Sequence, residues 1–154
     1  MHPPIKYAEK AVTLNPNDPE VLCMAGQVTQ YSGKSERGAA LARKAMALGP
    51  NYPTWCHVVT STYHYFKREY EQALAEALKV DMPEQYWTHF HLAINYAQLG
   101  RKEEARAAVG RLLKLYPDFA ANYRREAVKY NFPDDWTERC IDGLRKAGLD
   151  VPAK

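Results

Sequence analysis

Four prolines frame this chain. Pro16, Pro50, Pro83 and Pro117 follow one another at intervals of 34, 33 and 34 residues. Three of them close nearly the same phrase: AVTLNPN at 11–17, AMALGPN at 45–51 and LLKLYPD at 112–118. Proline cannot continue a helix, because its ring removes an amide donor and crowds the preceding turn. An alanine- and leucine-rich run that stops at a proline once per period therefore predicts one helix end per unit. Periods of this length belong to stacked repeats, in which a short unit buries its apolar face only against its neighbours.

Inside each period the side chains repeat as well. In 19–52 the first helix supplies Leu22, Ala25, Gly26 and Thr29, and the second supplies Gly38 and Ala42. In 84–119 the same places hold His89, Leu92, Ala93 and Tyr96, then Ala105 and Val109. The middle unit, 53–83, follows with His57, Thr60, Ser61, His64, Ala73 and Ala77, and its second helix is shorter. Small residues stand where two helices approach closely, and larger ones fill one helix face at i, i+3, i+4, i+7 spacing. Gly33 and Gly100 supply the left-handed residues that stop their helices, while Asp18-Pro19 supplies an N-cap and a first-turn proline.

This arrangement resembles the tetratricopeptide repeat, whose pattern is W-x2-L-G-x2-Y…A-x3-F…P. The resemblance spans about residues 4–119. It implies an all-α chain, a TPR-type α-α superhelix (solenoid) of antiparallel helix pairs with about nine helices. The single domain 1–154 divides into a half repeat (1–18), repeats at 19–52, 53–83 and 84–119, and a two-helix C-terminal cap (120–148). After Phe119 the period fails. Helices are expected at about 119–130 and 134–147, the latter opening with a capping box Asp135-x-x-Glu138, ending at Gly148 and closing the stack with Ile141, Leu144 and Ala147.

The half repeat at 4–14 leaves Ile5, Tyr7, Ala8 and Val12 as an apolar edge. That predicts a chain cut from something longer, as against an atypical terminal cap, and it offers the edge for pairing with an upstream domain or a second copy. The tail phrase IDGLRKAGL at 141–149, with FPDDWTERC and RLLKLYPDF before it and the Asp81-Met82-Pro83 ending of the middle unit, resembles repeat regions of bacterial class III adenylate/guanylate cyclase-like proteins. That likeness implies a regulatory or interaction region, and it carries no catalytic residue over to this chain.

Composition removes several functional classes. A net charge of +3 with basic pairs scattered at Arg43-Lys44, Lys67-Arg68, Arg101-Lys102, Arg124-Arg125 and Arg145-Lys146 does not make the clustered patch that phosphate binding needs. A nucleic-acid adaptor is therefore the weaker alternative. No window approaches the roughly 20 apolar residues of a membrane span. Cys23, Cys56 and Cys140 lie outside any CxxC pattern and read as buried thiols in a reducing, cytoplasmic setting.

Ser32-Gly33-Lys34-Ser35 has the end of a phosphate-binding loop but lacks its first glycine, which would fall at Val28. His57 and His89, each two residues after a tryptophan, lack a third ligand and read as packing histidines that would make stability pH-sensitive near 6–7. Asp134-Asp135 and Glu103-Glu104 suit helix starts better than acid–base work. No catalytic constellation, cofactor site or metal site is expected.

What remains is a wall of side chains. The first helix of each pair lines the concave side of such a stack. The candidate groove residues are Gln27 and Tyr31 in one unit; Trp55, Thr62, Tyr65 and Phe66 in the next; and Trp87, Phe90 and Ile94 in the third. The wall is aromatic and nearly uncharged, so it lacks the Lys/Arg/Asn clamp that grips a peptide carboxylate in some repeat domains of this kind. It predicts a protein partner that docks an apolar or amphipathic segment.

Overall fold

The computed structural model describes residues 5–153; the first four residues, including the start of the half repeat, lie outside the described part. Nine helices follow one another among the described residues, without a strand. They are α1 Ile5–Leu14, α2 Pro19–Tyr31, α3 Ser35–Ala47, α4 Cys56–Phe66, α5 Tyr70–Ala77, α6 Tyr86–Gln98, α7 Lys102–Leu115, α8 Phe119–Lys129 and α9 Asp134–Lys146. Helices α2/α3, α4/α5 and α6/α7 form antiparallel pairs, and α1 packs on α2 as the second helix of a pair would. The chain is an all-α, TPR-type superhelix.

Local chemistry explains the turns. Asp18 accepts hydrogen bonds from the amides of Glu20 (2.9 Å) and Val21 (3.4 Å), with Pro19 at the first helical position. Between the helices of each pair one residue takes positive φ: Gly33 (96°), Arg68 (63°), Gly100 (76°) and Asn131 (58°). In every case the next amide reaches back to the same helical carbonyl: Lys34 to Thr29, Glu69 to His64, Arg101 to Tyr96 and Phe132 to Ala127. That is the Schellman closure. The backbone repeat therefore runs on through α8 and α9, where the side-chain repeat stops. The expected capping box does not form. Pro133 precedes α9 without a side-chain cap, and Glu138 instead pairs with Arg124 on α8.

Small residues set the helix spacing. A Cβ on Gly38 would lie 2.5 Å from the Gly26 carbonyl oxygen, so α2 and α3 cross backbone to backbone. Ala93, Ala97, Ala105 and Ala108 do the same work between α6 and α7. His57, in the middle unit, and His89, in the next, are both buried and hydrogen-bonded. His57 Nε2 lies 3.0 Å from the Tyr52 hydroxyl, and its Nδ1 lies 3.4 Å from Glu76. The imidazole holds the Glu76 carboxyl down at about 2. His89 Nε2 donates to the Pro83 carbonyl at 2.7 Å.

The cysteine reading needs correction. All three are buried, but Cys23 and Cys56 form a disulfide, with Cα atoms 5.4 Å apart, that ties α2 to α4; only Cys140 is a free thiol. They stand 33 residues apart, nearly one period, which sets them on facing sides of successive first helices. The cytoplasmic expectation loses the support it drew from three free thiols. No helix among the described residues is long and apolar enough to cross a membrane.

Candidate functional site

The first helices α2, α4 and α6 present the concave wall. The C-terminal pair does not extend the stack beyond α7. It folds back over that wall, α9 lying against α6 and the end of α4, and α8 against the start of α6. This corrects the expected end cap: the surface these helices close is the concave one. Between the wall and the returning pair lies a cavity of ≈380 Å³, a size typical of small-ligand pockets.

All nine candidate groove residues line this one cavity: Gln27, Tyr31, Trp55, Thr62, Tyr65, Phe66, Trp87, Phe90 and Ile94. Their environments differ. Tyr65, Phe90 and Ile94 are buried among the residues that seat α8 and α9, and Thr62 is buried as well. Gln27, Tyr31, Trp55, Phe66 and Trp87 are half-buried and keep surface available at the cavity.

The seating of α9 is specific. The Tyr65 hydroxyl donates to the Arg139 carbonyl at 2.9 Å and accepts from Gln98 Nε2 at 3.0 Å. Lys146 in turn donates to Gln98 Oε1 at 2.9 Å. The Arg139 guanidinium caps the C-terminal end of α4, donating to the carbonyls of Phe66 (2.8 Å) and Tyr65 (3.2 Å). Trp136 stacks on Phe66 with ring centroids 4.2 Å apart and planes 12° from parallel. Phe132 lies 4.9 Å from Tyr31, so the closing pair reaches the first full repeat. Gly143 gives α9 its close approach, since a Cβ there would meet the Tyr65 hydroxyl at 2.6 Å and Ile94 Cβ at 3.0 Å.

The cavity has a distinct chemistry. Tyr86 and His91 join it from α6; Phe119, Tyr123 and Glu126 come from α8; Tyr130 and Phe132 come from the turn after it, and Trp136 and Cys140 from α9. Burial pushes the His91 imidazole down to about 4, so it is neutral near pH 7. Burial pushes the Cys140 thiol up to about 12, which leaves it protonated and a poor nucleophile. Burial also raises the Tyr31 and Tyr65 phenols. Among the described residues Glu126 is the single formally charged one lining the space. Among the described residues no cluster of His, Cys, Asp or Glu could hold a metal.

Sequence reasoning missed the entire second wall. The signal was there in Phe119, Tyr123, Tyr130, Phe132 and Trp136, an aromatic density that an outward-facing cap has no use for. The i, i+4 step from Phe119 to Tyr123 marks one helix face. His91 and Tyr86 were passed over because only their relation to α8 gives them a place.

Comparison with known proteins gives three findings. The chain is 27% identical over 156 residues to the TPR repeat-containing protein YpiA of Bacillus subtilis (strain 168), covering 97% of this chain and 34% of that protein, so it spans about a third of the relative's length. Its fold is similar to a crystal structure of MamA (TM-score 0.64, 16% identity, 93% of this chain and 84% of that one) and to MamA 41-end from Desulfovibrio magneticus RS-1 (TM-score 0.64, 19% identity, 94% and 81%). Residues 87–119, the third full repeat, match the tetratricopeptide repeat family.

Proposed function

We propose that this chain is a protein-interaction module whose concave face receives a short apolar or amphipathic segment of a partner, with the aromatic cavity taking the anchoring side chains. The observation that carries this reading is the convergence of nine side chains from three successive repeats, eight on first helices and Trp55 at the cap of α4, on one ≈380 Å³ space. Because α8 and α9 occupy much of the concave face, a long helix has no uninterrupted bed along it. The fit is to one or two side chains inserted beside the half-buried Trp55 and Trp87. An apolar anchor buried there contributes on the order of 1.5–3 kcal/mol.

Selection of peptides from a random display library on the intact chain tests the reading. The expected consensus is apolar, and its affinity falls by roughly tenfold to a hundredfold in Trp55→Ala or Trp87→Ala, following the loss of one anchor. Selected peptides that bind both variants as well as they bind the native chain would place recognition elsewhere.

A second reading, self-association through the N-terminal edge, draws on α1. Ala8 is buried against α2 and Val12 packs near it, but Tyr7 is 56% and Leu14 68% exposed. Gel filtration of Tyr7→Glu with Leu14→Glu across a concentration series checks it. A mass that rises with concentration in the native chain and not in the variant supports pairing, and two identical profiles dismiss it.

A further inference from the structure

The anchor that the cavity selects can be argued from its charge, and this step rests on the interaction reading above. Its lining is rich in aromatic rings, with Tyr86 and Trp87 at the start of α6 and Tyr130 just past the end of α8, and Glu126 adds a carboxylate. The Tyr116 hydroxyl donates to the Glu126 carboxylate at 3.5 Å. Burial raises the Tyr86 phenol, and the nearby Tyr130 and Glu126 add to that rise, which places Glu126 close to Tyr86. Among the described residues no lysine, arginine or histidine forms an ion pair with Glu126. Nor does any lysine or arginine line the cavity. The cations nearby are otherwise engaged: Lys129 lies 5.6 Å over Tyr130, Arg125 is held by Asn122, and Arg124 pairs with Glu138. Arg139 is held by the end of α4. His91 brings no positive charge near neutral pH.

Aromatic faces are electron-rich and attract weakly hydrated organic cations, and a carboxylate beside them adds direct Coulomb attraction in a partly desolvated space. An anion would face the Glu126 charge and the negative faces of the rings. A purely apolar anchor would leave the carboxylate partly desolvated without compensation. We propose that the cavity recognises a basic side chain of the partner segment, an arginine flanked by apolar residues, with the guanidinium against the rings of Tyr86 and Trp87 and paired to Glu126. Arginine suits the place better than lysine, because its planar group stacks on rings and sheds water more readily.

The test uses the intact chain and three peptides of one leucine-flanked sequence whose central residue is arginine, citrulline or norleucine. Citrulline keeps the shape of arginine and removes its charge. Calorimetric titration is expected to show the arginine peptide binding about tenfold tighter than the citrulline one, the scale of a desolvated cation–π contact with a charge partner. In Glu126→Gln that preference should shrink to about threefold or less, because the rings remain and the counter-charge goes. Equal binding of all three peptides overturns the inference and leaves the interaction reading standing. An undiminished preference in Glu126→Gln, with the variant's helicity intact, also overturns it. No binding of any peptide overturns both. N-acetyl-arginine methylamide binding as tightly as the whole peptide would assign the site to a free organic cation and overturn the partner assignment.

Discussion

Small residues hold the stack together, and large ones hold the closing pair against it. From α1 to α7 the closest crossings are Gly26 against Gly38 and Ala93 and Ala97 against Ala105 and Ala108, and the turns are closed by backbone hydrogen bonds. Between the stack and α8–α9 the contacts are Trp136 on Phe66, Phe119 and Tyr123 on Phe90, and the Tyr65–Arg139 hydrogen bonds that span 74 residues. The first kind of contact is local and repeats, so it generates a shape of any length. The second kind occurs once, joins distant segments, and converts an open trough into a cavity. A repeat becomes a site where its regularity is broken by an element that returns.

The disulfide offers the largest way to break this contrast. It belongs to the stack, tying α2 to α4 across 33 residues. Loop-closure entropy for that separation predicts that Cys23→Ala with Cys56→Ala lowers unfolding free energy by about 3–4 kcal/mol. Urea unfolding followed by circular dichroism measures it. A loss below about 1 kcal/mol would mean that packing of these successive first helices is sufficient without the link.

Gly38→Ala comes next. The added methyl would press on the Gly26 carbonyl, which is backbone and has nowhere to rotate, so α2 and α3 must separate. Overpacking of this kind is expected to destabilise by about 3 kcal/mol. A thermal midpoint within a degree or two of the native chain would show that the pair is not packed at backbone contact.

How much of this was legible in the sequence follows the same division. The proline period, Asp18, Gly33 and Gly100 announced the stack because helix stops and starts are local chemistry. That Trp55 and Trp87 face one shared space was legible because position within a repeat determines the face. Arg68 and Asn131 were not legible as turn residues, since neither is glycine and only the surrounding packing requires positive φ there. Asp135 and Glu138 spelled a capping box, yet Glu138 pairs with Arg124 on α8, a partner that sequence distance hides. The Cys23–Cys56 link and the returning α9 are likewise tertiary facts: each depends on which faces meet.

His91 stands at the boundary between the two regions, and its protonation tests how dry that boundary is. In the folded chain the imidazole stays neutral down to about pH 4, against an ordinary value of 6.5. As pH falls, the unfolded chain takes up the proton first. Stability owed to this group is therefore complete above 6.5, declines from there to 4, and falls no further below. By pH 5 the loss should be about 2 kcal/mol relative to pH 7.5. His91→Leu should flatten that part of the profile. It should leave unchanged the separate decline from 4.5 to about 2, where the unfolded chain protonates Glu76 while the folded one, with His57 beside it, still holds it ionised. Parallel native and variant profiles between pH 7.5 and 5 would mean that solvent reaches the imidazole freely.

The smallest effect is the most specific. Gly143→Ala should loosen α9 by about 1–2 kcal/mol, because its methyl would meet the Tyr65 hydroxyl at 2.6 Å and Ile94 at 3.0 Å, both side chains that can shift. Tyr65→Phe should lose a similar amount, since the Arg139 carbonyl and Gln98 amide each lose a partner. The two changes share one point in space. Removing the hydroxyl vacates the volume the methyl needs, so the double variant should be more stable than the sum of the singles predicts, by about 1 kcal/mol. Gly38→Ala combined with Tyr65→Phe provides the control. That pair joins a stack position to a closing position with no shared neighbour, and its effects should simply add. Coupling in the first cycle with additivity in the second locates the contact between α9 and the concave wall; additivity in both would mean that α9 does not rest on Tyr65.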